Sequence, residues 1–320
     1  MPPPDPPPRY LTRTQLAERR ALRRRDLRRR RVAAAAIVAV AAAVVLVWTQ
    51  AGGSTHMRSR RPVARRNPNP VRLRRRAPRP APGGSGNRSI DRVLAYTSYL
   101  SVGAGRHRDI ALTFDDGPGP YTPQVLAVLA RYHVPATFFA VGSAVQKSPR
   151  LVREESSRGY PIGDHTEHHA YLGHSGPAAQ EAEISGAGTA LEHADVPAPR
   201  LFRPPYGSFN ASTLSILRAN RMLMVLWTVD TKDFSRPGTQ RIIYTALSGA
   251  RPGAVILMHD GGVARAQTVA ALPRIIQMLR RRGYRFVTVP RLLRDDPPPR
   301  GQPPPHPLAG AGFLPSPPRR

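Results

Sequence analysis

Between residues 109 and 289, short apolar runs alternate with longer stretches in which apolar side chains return every three or four positions. The runs "DIALTF" (109–114), "ATFFAVG" (136–142), "MLMVLWTVD" (222–230), "GAVILMH" (253–259) and "YRFVTV" (284–289) predict strands, being short and rich in β-branched or aromatic residues. The stretches "TPQVLAVLARYHV" (122–134), "SPRLVREESSRG" (148–159), "ASTLSILRANR" (211–221), "GTQRIIYTALSGA" (238–250) and "TVAALPRIIQMLRRRG" (268–283) predict helices. Strand followed by helix, repeatedly, indicates an α/β fold with a largely parallel sheet. In such folds chemistry gathers at the carboxyl ends of the strands.

Outside this region the pattern changes. Val32 to Trp48, "VAAAAIVAVAAAVVLVW", is 17 residues without a charge. At ~1.5 Å per residue it just reaches across a hydrocarbon core of ~30 Å. The arginines before it predict a cytoplasmic N-terminus, and the second arginine cluster, Arg58 to Arg79, opposes that orientation from further away. An uncleaved membrane anchor is expected; a signal peptide cut after "TQA" is the alternative. Five segments follow: a basic cytoplasmic stretch 1–31, a transmembrane anchor 32–48, a Pro/Arg-rich disordered linker 49–87, a globular domain 88–296, and a Pro-rich disordered tail 297–320.

The net charge of +29 belongs mostly to the flanks, because residues 88–296 hold 17 of the 20 acids but only 25 of the 49 Lys and Arg. That distribution argues against a nucleic-acid binder, while the arginine-rich linker suits anionic wall polymers or lipid headgroups. With no cysteine in the chain, disulfides, thiolate nucleophiles and Cys-based zinc sites are excluded. Any metal must be held by His and carboxylates.

Candidate residues for that chemistry sit at the strand ends. Asp115 and Asp116 are adjacent in "TFDDGP", where like charges repel unless something cationic holds both. In "IGDHTEHHAYL", His165 and His169 have the i, i+4 spacing of a ligand pair, and His168 competes by spacing alone. Two His and one Asp form a three-ligand site with an open position, the pattern of catalytic zinc. "RLFRPPYGSFN" offers Arg203 beside a rigid corner at Tyr206, "LWTVDTKDF" ends on Asp230, Asp233 and Phe234, and "VILMHDGG" brings His259 just past an apolar strand.

Taken together, "TFDDGP", "HTEHH", "RPPYG", "DTKDF" and "LMH" resemble, in order and approximate spacing, the five motifs of the NodB-like polysaccharide deacetylases, carbohydrate esterase family 4. The resemblance spans about Ile110 to Leu293. It implies a distorted (β/α) barrel and a divalent metal, usually Zn2+ with Co2+ as another candidate, used to remove acetyl groups from polysaccharides. It further implies Asp115 as base and Asp116, His165 and His169 as metal ligands. His259 would be the acid, and the Tyr206 backbone N–H would hold the oxyanion. Thr166 would brace the histidine loop, Phe234 and Leu257 would line the substrate site, and Asp230 or Asp233 would orient Arg203 or tune His259. Two positions depart from the family pattern: Phe234 stands where Trp is usual, and Asp164 where Asn is common. The expected substrate is an amino-sugar polymer, foremost peptidoglycan. Chitooligosaccharide, acetylxylan, or a non-catalytic glycan-binding role are the alternatives.

Overall fold

The computed structural model of the chain describes residues 85–302, and the structure below is that of these residues. The expected anchor, the basic segment before it, the linker up to residue 84 and the tail beyond 302 lie outside them. Among the described residues no helix is long and apolar enough to cross a membrane. Helix α1 (Ser85–Leu94) already begins inside the expected linker, and Gln302 still donates to the Tyr99 carbonyl at 2.8 Å.

Nine parallel strands make one sheet: β1 (Tyr99–Leu100), β2 (Asp109–Gly117), β3 (Thr137–Ala140), β4 (Ile162–Asp164), β5 (Leu201–Phe202), β6 (Leu223–Val225), β7 (Val229–Asp230), β8 (Ala254–His259) and β9 (Arg285–Phe286). Their order is β1-β6-β5-β4-β3-β2-β8-β7, with β9 paired to the start of β2. No ladder joins β1 or β6 to β7, so the expected barrel is an open one, a sheet curled into a half-barrel. The chain itself imposes the curl. The stretch "MLMVLWTVD" is two strands rather than one, near opposite ends of the sheet, and four Cα steps separate Val225 from Val229. Such a span reaches at most ~14 Å, so the two ends must face each other across a narrow seam.

Alternation along β2 sorts its side chains. Ile110, Leu112 and Phe114 join Val125, Leu126 and Leu129 of α2 (Thr122–Arg131) in the outer core. Ala111 instead packs inward with Val255, Leu201 and Val225, over a plug formed by α1 and α9 (Val289–Asp295). Thr113 and Asp115 continue that inward face at the strand's carboxyl end. The remaining helices are α3 (Gly142–Lys147), α4 (Pro149–Ser157), α5 (Pro177–His193), α6 (Ala211–Ala219), α7 (Thr239–Ser248) and α8 (Ala266–Arg281).

Two elements depart from the sequence pattern. The run "YRFVTV" is a strand only over Arg285–Phe286; the Thr288 hydroxyl then accepts from the Arg291 N–H and caps α9. Helix α5 has only a weak apolar stripe to betray it, Ile184 and Leu191 being its only large apolar residues among Ala, Gly and polar ones. Its small residues allow close packing instead: a Cβ added at Gly142 of α3 would stand 2.9 Å from the Ala187 Cα.

Candidate active site

Asp115 and His259 are register partners at the carboxyl ends of β2 and β8. Partners in a parallel ladder project to the same face, so both side chains point into the barrel's mouth. Asp116, by simple alternation, would point the other way, into the helical layer. It does not. The register against β3 slips between Asp115 and Gly117, and Asp116 takes a left-handed φ of 71°. The bulge re-aims the second carboxylate toward the same site as the first. Asp115 Oδ2 and Asp116 Oδ1 end 3.7 and 3.6 Å from the same His165 Nε2.

Asp116, His165 and His169 offer ligand atoms that all lie within 4.8 Å of one another. His165 Nδ1 meets the Arg203 carbonyl at 2.7 Å, and a carbonyl only accepts, so Nδ1 carries the hydrogen. Burial pushes the His165 pKa down to about 4, against the pull of Asp115 and Asp116, and the ring is neutral with its Nε2 lone pair facing Asp116. His169 Nδ1 contacts the Tyr206 hydroxyl at 3.0 Å, leaving Nε2 3.1 Å from Asp116 Oδ1. That oxygen is buried and, apart from this His169 contact, meets no hydrogen-bond partner among the described residues. Burial alone would raise the Asp116 pKa, but His169, His259 and His165 outweigh it and hold it well below the usual carboxylate range. Two imidazole nitrogens and an otherwise unpartnered ionised oxygen fit a divalent cation. His168 is no competitor: it turns outward to Glu183 Oε1 at 3.1 Å.

The loop carrying these ligands is held in strained backbone. Thr166 and His169 have φ of 65° and 59°, an outlying conformation for a β-branched residue. The Asp164 carboxylate accepts the Thr166 N–H at 2.7 Å, and the Thr166 hydroxyl accepts the Ala170 N–H at 3.2 Å. Burial raises the Asp164 pKa well above the usual range, and Asp164 Oδ2 meets no partner among the described residues. Tyr206 is also left-handed, at φ 60°, after the two prolines.

Arg203 is fully buried beneath the site. Its Nη1 donates to Asp115 Oδ1 and to the Thr113 hydroxyl, both at 2.8 Å. Nε and Nη2 donate to the Val225 and Leu226 carbonyls at 3.0 and 3.2 Å, tying the seam of the half-barrel to its central strand. Phe139 and Trp227 contact the guanidinium at 4.1 and 5.7 Å. On the opposite wall, His259 Nδ1 donates to Asp233 Oδ1 at 2.7 Å and the His259 N–H to Oδ2 at 3.0 Å. Thr268 adds a hydroxyl to Oδ2 at 2.7 Å. Burial works against a charged imidazole, yet the Asp233 contact prevails and pushes the His259 pKa up to about 9.

The two aspartates of "DTKDF" therefore separate. Asp233 holds His259, whereas Asp230 accepts the Lys232 N–H at 2.8 Å and pairs with its ammonium at 2.7 Å. Asp230 orients Arg203 by no direct contact among the described residues. Phe234 lies edge-on to His259 at 5.7 Å and, with Leu257, lines a cavity of about 590 Å³ that Asp115, Asp116, His165, His169 and His259 face, while Arg203 and Asp233 lie behind its wall. Three of its neighbours escape sequence reasoning. Arg265 is buried and donates to Asp116 Oδ2 at 3.1 Å. It sits in an Ala-rich stretch with no motif to mark it. Trp227 hides inside an apparent strand. Tyr171 stacks on Tyr206, rings 3.7 Å apart and 2° from parallel, and the sequence bears no sign of that pairing.

The sequence profile of the polysaccharide deacetylases matches residues 103–225. A peptidoglycan-N-acetylglucosamine deacetylase of Bacillus cereus is 43% identical over 188 residues, covering 58% of this chain and 88% of that protein. A chitooligosaccharide deacetylase of a Bradyrhizobium species is 39% identical over 198 residues, 58% of this chain and 90% of the other. A crystal structure of a peptidoglycan N-acetylglucosamine deacetylase matches with a TM-score of 0.61 at 31% identity, over 64% of this chain and 97% of that one.

Proposed function

Since the chain belongs to the NodB-like polysaccharide deacetylases, carbohydrate esterase family 4, we propose that it hydrolyses N-acetyl groups of peptidoglycan N-acetylglucosamine. The observation that carries the chemistry is the pairing of opposite roles across one ladder. Asp115 has one oxygen engaged by Arg203 and the other turned to the site, while its register partner His259 is held charged by Asp233.

Asp116, His165 and His169 would hold the ion. When bound, a divalent cation supplies Lewis-acid polarisation of the acetyl carbonyl and acidifies water toward a pKa of ~7. Neutral imidazoles with one carboxylate suit Zn2+, and Co2+ shares the preference. Water oxygen adds to the acetyl carbon as Asp115 Oδ2 takes its proton. The Tyr206 backbone N–H, fixed by Pro204 and Pro205, donates to the developing oxyanion. His259 Nε2 then gives its proton to the amide nitrogen as the C–N bond breaks, leaving acetate and a free amine.

The peptidoglycan assignment draws on the Bacillus cereus relative, and the chitooligosaccharide alternative on the Bradyrhizobium one. We place the catalytic domain outside the cell, tethered by the apolar run 32–48, where a wall polymer is within reach. The test measures acetate released by the full chain from purified peptidoglycan and from chitotetraose, with zinc and with chelator. Metal-dependent release from peptidoglycan is expected. Release from chitotetraose alone would transfer the assignment to chitooligosaccharide.

A further inference from the structure

The described residues hold a second cavity, about 600 Å³, that shares Asp116, His169 and Gly262 with the catalytic one. Those three form a sill between the two spaces. Beyond the sill the lining is apolar at Pro118, Pro120 and Leu151, and polar at Ser143, Ser148 and His168, whose Nδ1 is taken up by Glu183 at 3.1 Å. One Lys or Arg lines it: Lys147, exposed at the end of α3. The only other lysine of the chain, Lys232, lies in the catalytic cavity and is neutralised by Asp230 at 2.7 Å. Lys147 meets no carboxylate among the described residues. Asp116, the one acid of this second lining, is directed to the ion.

A mixed lining of proline faces, hydroxyls and one cation suits a pyranose bearing an anionic substituent. A polymeric substrate supplies such a neighbour. With the acetamido group of one sugar at the sill, a glycan running across it places its next sugar in the space beyond. In peptidoglycan that neighbour carries a 3-O-lactyl acid, either as a free carboxylate or extended into a peptide with carboxylates of its own. Chitin offers no such group, and a sugar already deacetylated offers an ammonium that Lys147 would repel.

We propose that the cavity beside Lys147 is a subsite for the acid-bearing neighbour of the reacting sugar, with Lys147 pairing the carboxylate of its 3-O substituent. This inference rests on the peptidoglycan reading. Being compact and strongly hydrated, an ammonium suits a single carboxylate met at a partly open site.

The test uses the full zinc-loaded chain on three tetrasaccharides: chitotetraose, a peptide-free peptidoglycan fragment, and the same fragment carrying its peptides. The readout is the ratio of kcat/KM for each acidic substrate to that for chitotetraose. Lys147→Ala should lower that ratio about threefold to fivefold through KM, the range of a partly exposed ion pair, and Lys147→Glu about tenfold. The wild-type KM for the acidic substrate should rise with salt. Whichever acidic substrate responds identifies the carboxylate, lactyl or peptide. Acetate from the acidic substrates with a ratio that Lys147→Glu leaves unaltered would overturn the subsite and leave the function standing. Acetate from chitotetraose alone, or from none of the three, would overturn the function and the subsite with it.

Discussion

At the scale of single residues, the site works by giving its titratable groups fixed partners. Asp233 is the clearest case, since two hydroxyls and two N–H groups converge on it and leave it one task, holding His259. Removing that charge leaves only Asp116 and Asp115 to oppose burial, so Asp233→Asn should lower the His259 pKa from about 9 toward its ordinary 6.5. His259 would then lose both its fixed orientation and part of its charge at neutral pH, and kcat should fall about 10²-fold or more; unchanged kcat would contradict the role. The Tyr206 hydroxyl acts on His169 in the same manner, fixing which nitrogen faces the ion. Tyr206→Phe keeps the ring stacked on Tyr171 and removes only that contact. Zinc affinity, measured by chelator competition, should weaken about tenfold, the lower end for outer-shell partners of metal ligands. Arg203 is different in kind, because its buried charge also holds the seam carbonyls. Arg203→Met should lower both activity and stability, the latter by about 3 kcal/mol in denaturant melts.

At the scale of elements, the close approach of two turns sets the metal group. A Cβ added at Gly261, after β8, would stand 2.0 Å from the Asp116 carbonyl oxygen and 2.6 Å from the Gly117 nitrogen. Backbone must move to admit it. Gly261→Ala should therefore displace the Asp116 bulge and abolish stoichiometric zinc binding, while Gly188→Ser in α5, at a half-buried position where an added Cβ meets nothing within 4 Å, should leave binding intact. The sequence makes the strands β2, β3 and β8 legible because they are buried runs of apolar residues. It conceals β1, β4 and β5, which are only two or three residues long, too short to show alternation. Helix α5 is hidden by its small residues, and the break between β6 and β7 by apolar side chains on both sides of Trp227. Of the site, the residues at strand ends were readable because chemistry demands those types there. The orientation of Asp116 was not, since nothing in "TFDDGP" announces a bulge. Arg265 was equally silent, being a lone arginine whose partner lies 149 positions away.

At the scale of the whole molecule, proton binding and stability are coupled. His259 binds its proton more tightly folded than unfolded, so its contribution to stability is complete below about pH 6.5 and is lost as pH rises through about 9. Thermal melts of the metal-free protein should show Tm falling across that window, and Asp233→Asn should flatten the fall. A bound divalent ion offsets the Asp115 and Asp116 charges that help to raise His259. The basic limb of kcat/KM in the loaded enzyme should accordingly lie below 9. The proposed mechanism requires one ion, held by Asp116, His165 and His169, and one base, Asp115, acting together on the acetyl group. The direct measurement sets bound zinc against acetate released from peptidoglycan for the full chain, for Asp115→Asn, and for the double variant His165→Ala, His169→Ala. One zinc per wild-type chain with acetate released, zinc without acetate in Asp115→Asn, and neither in the double variant is the predicted result. Acetate release that survives in the double variant, or a zinc-loaded wild type that releases none, would contradict it.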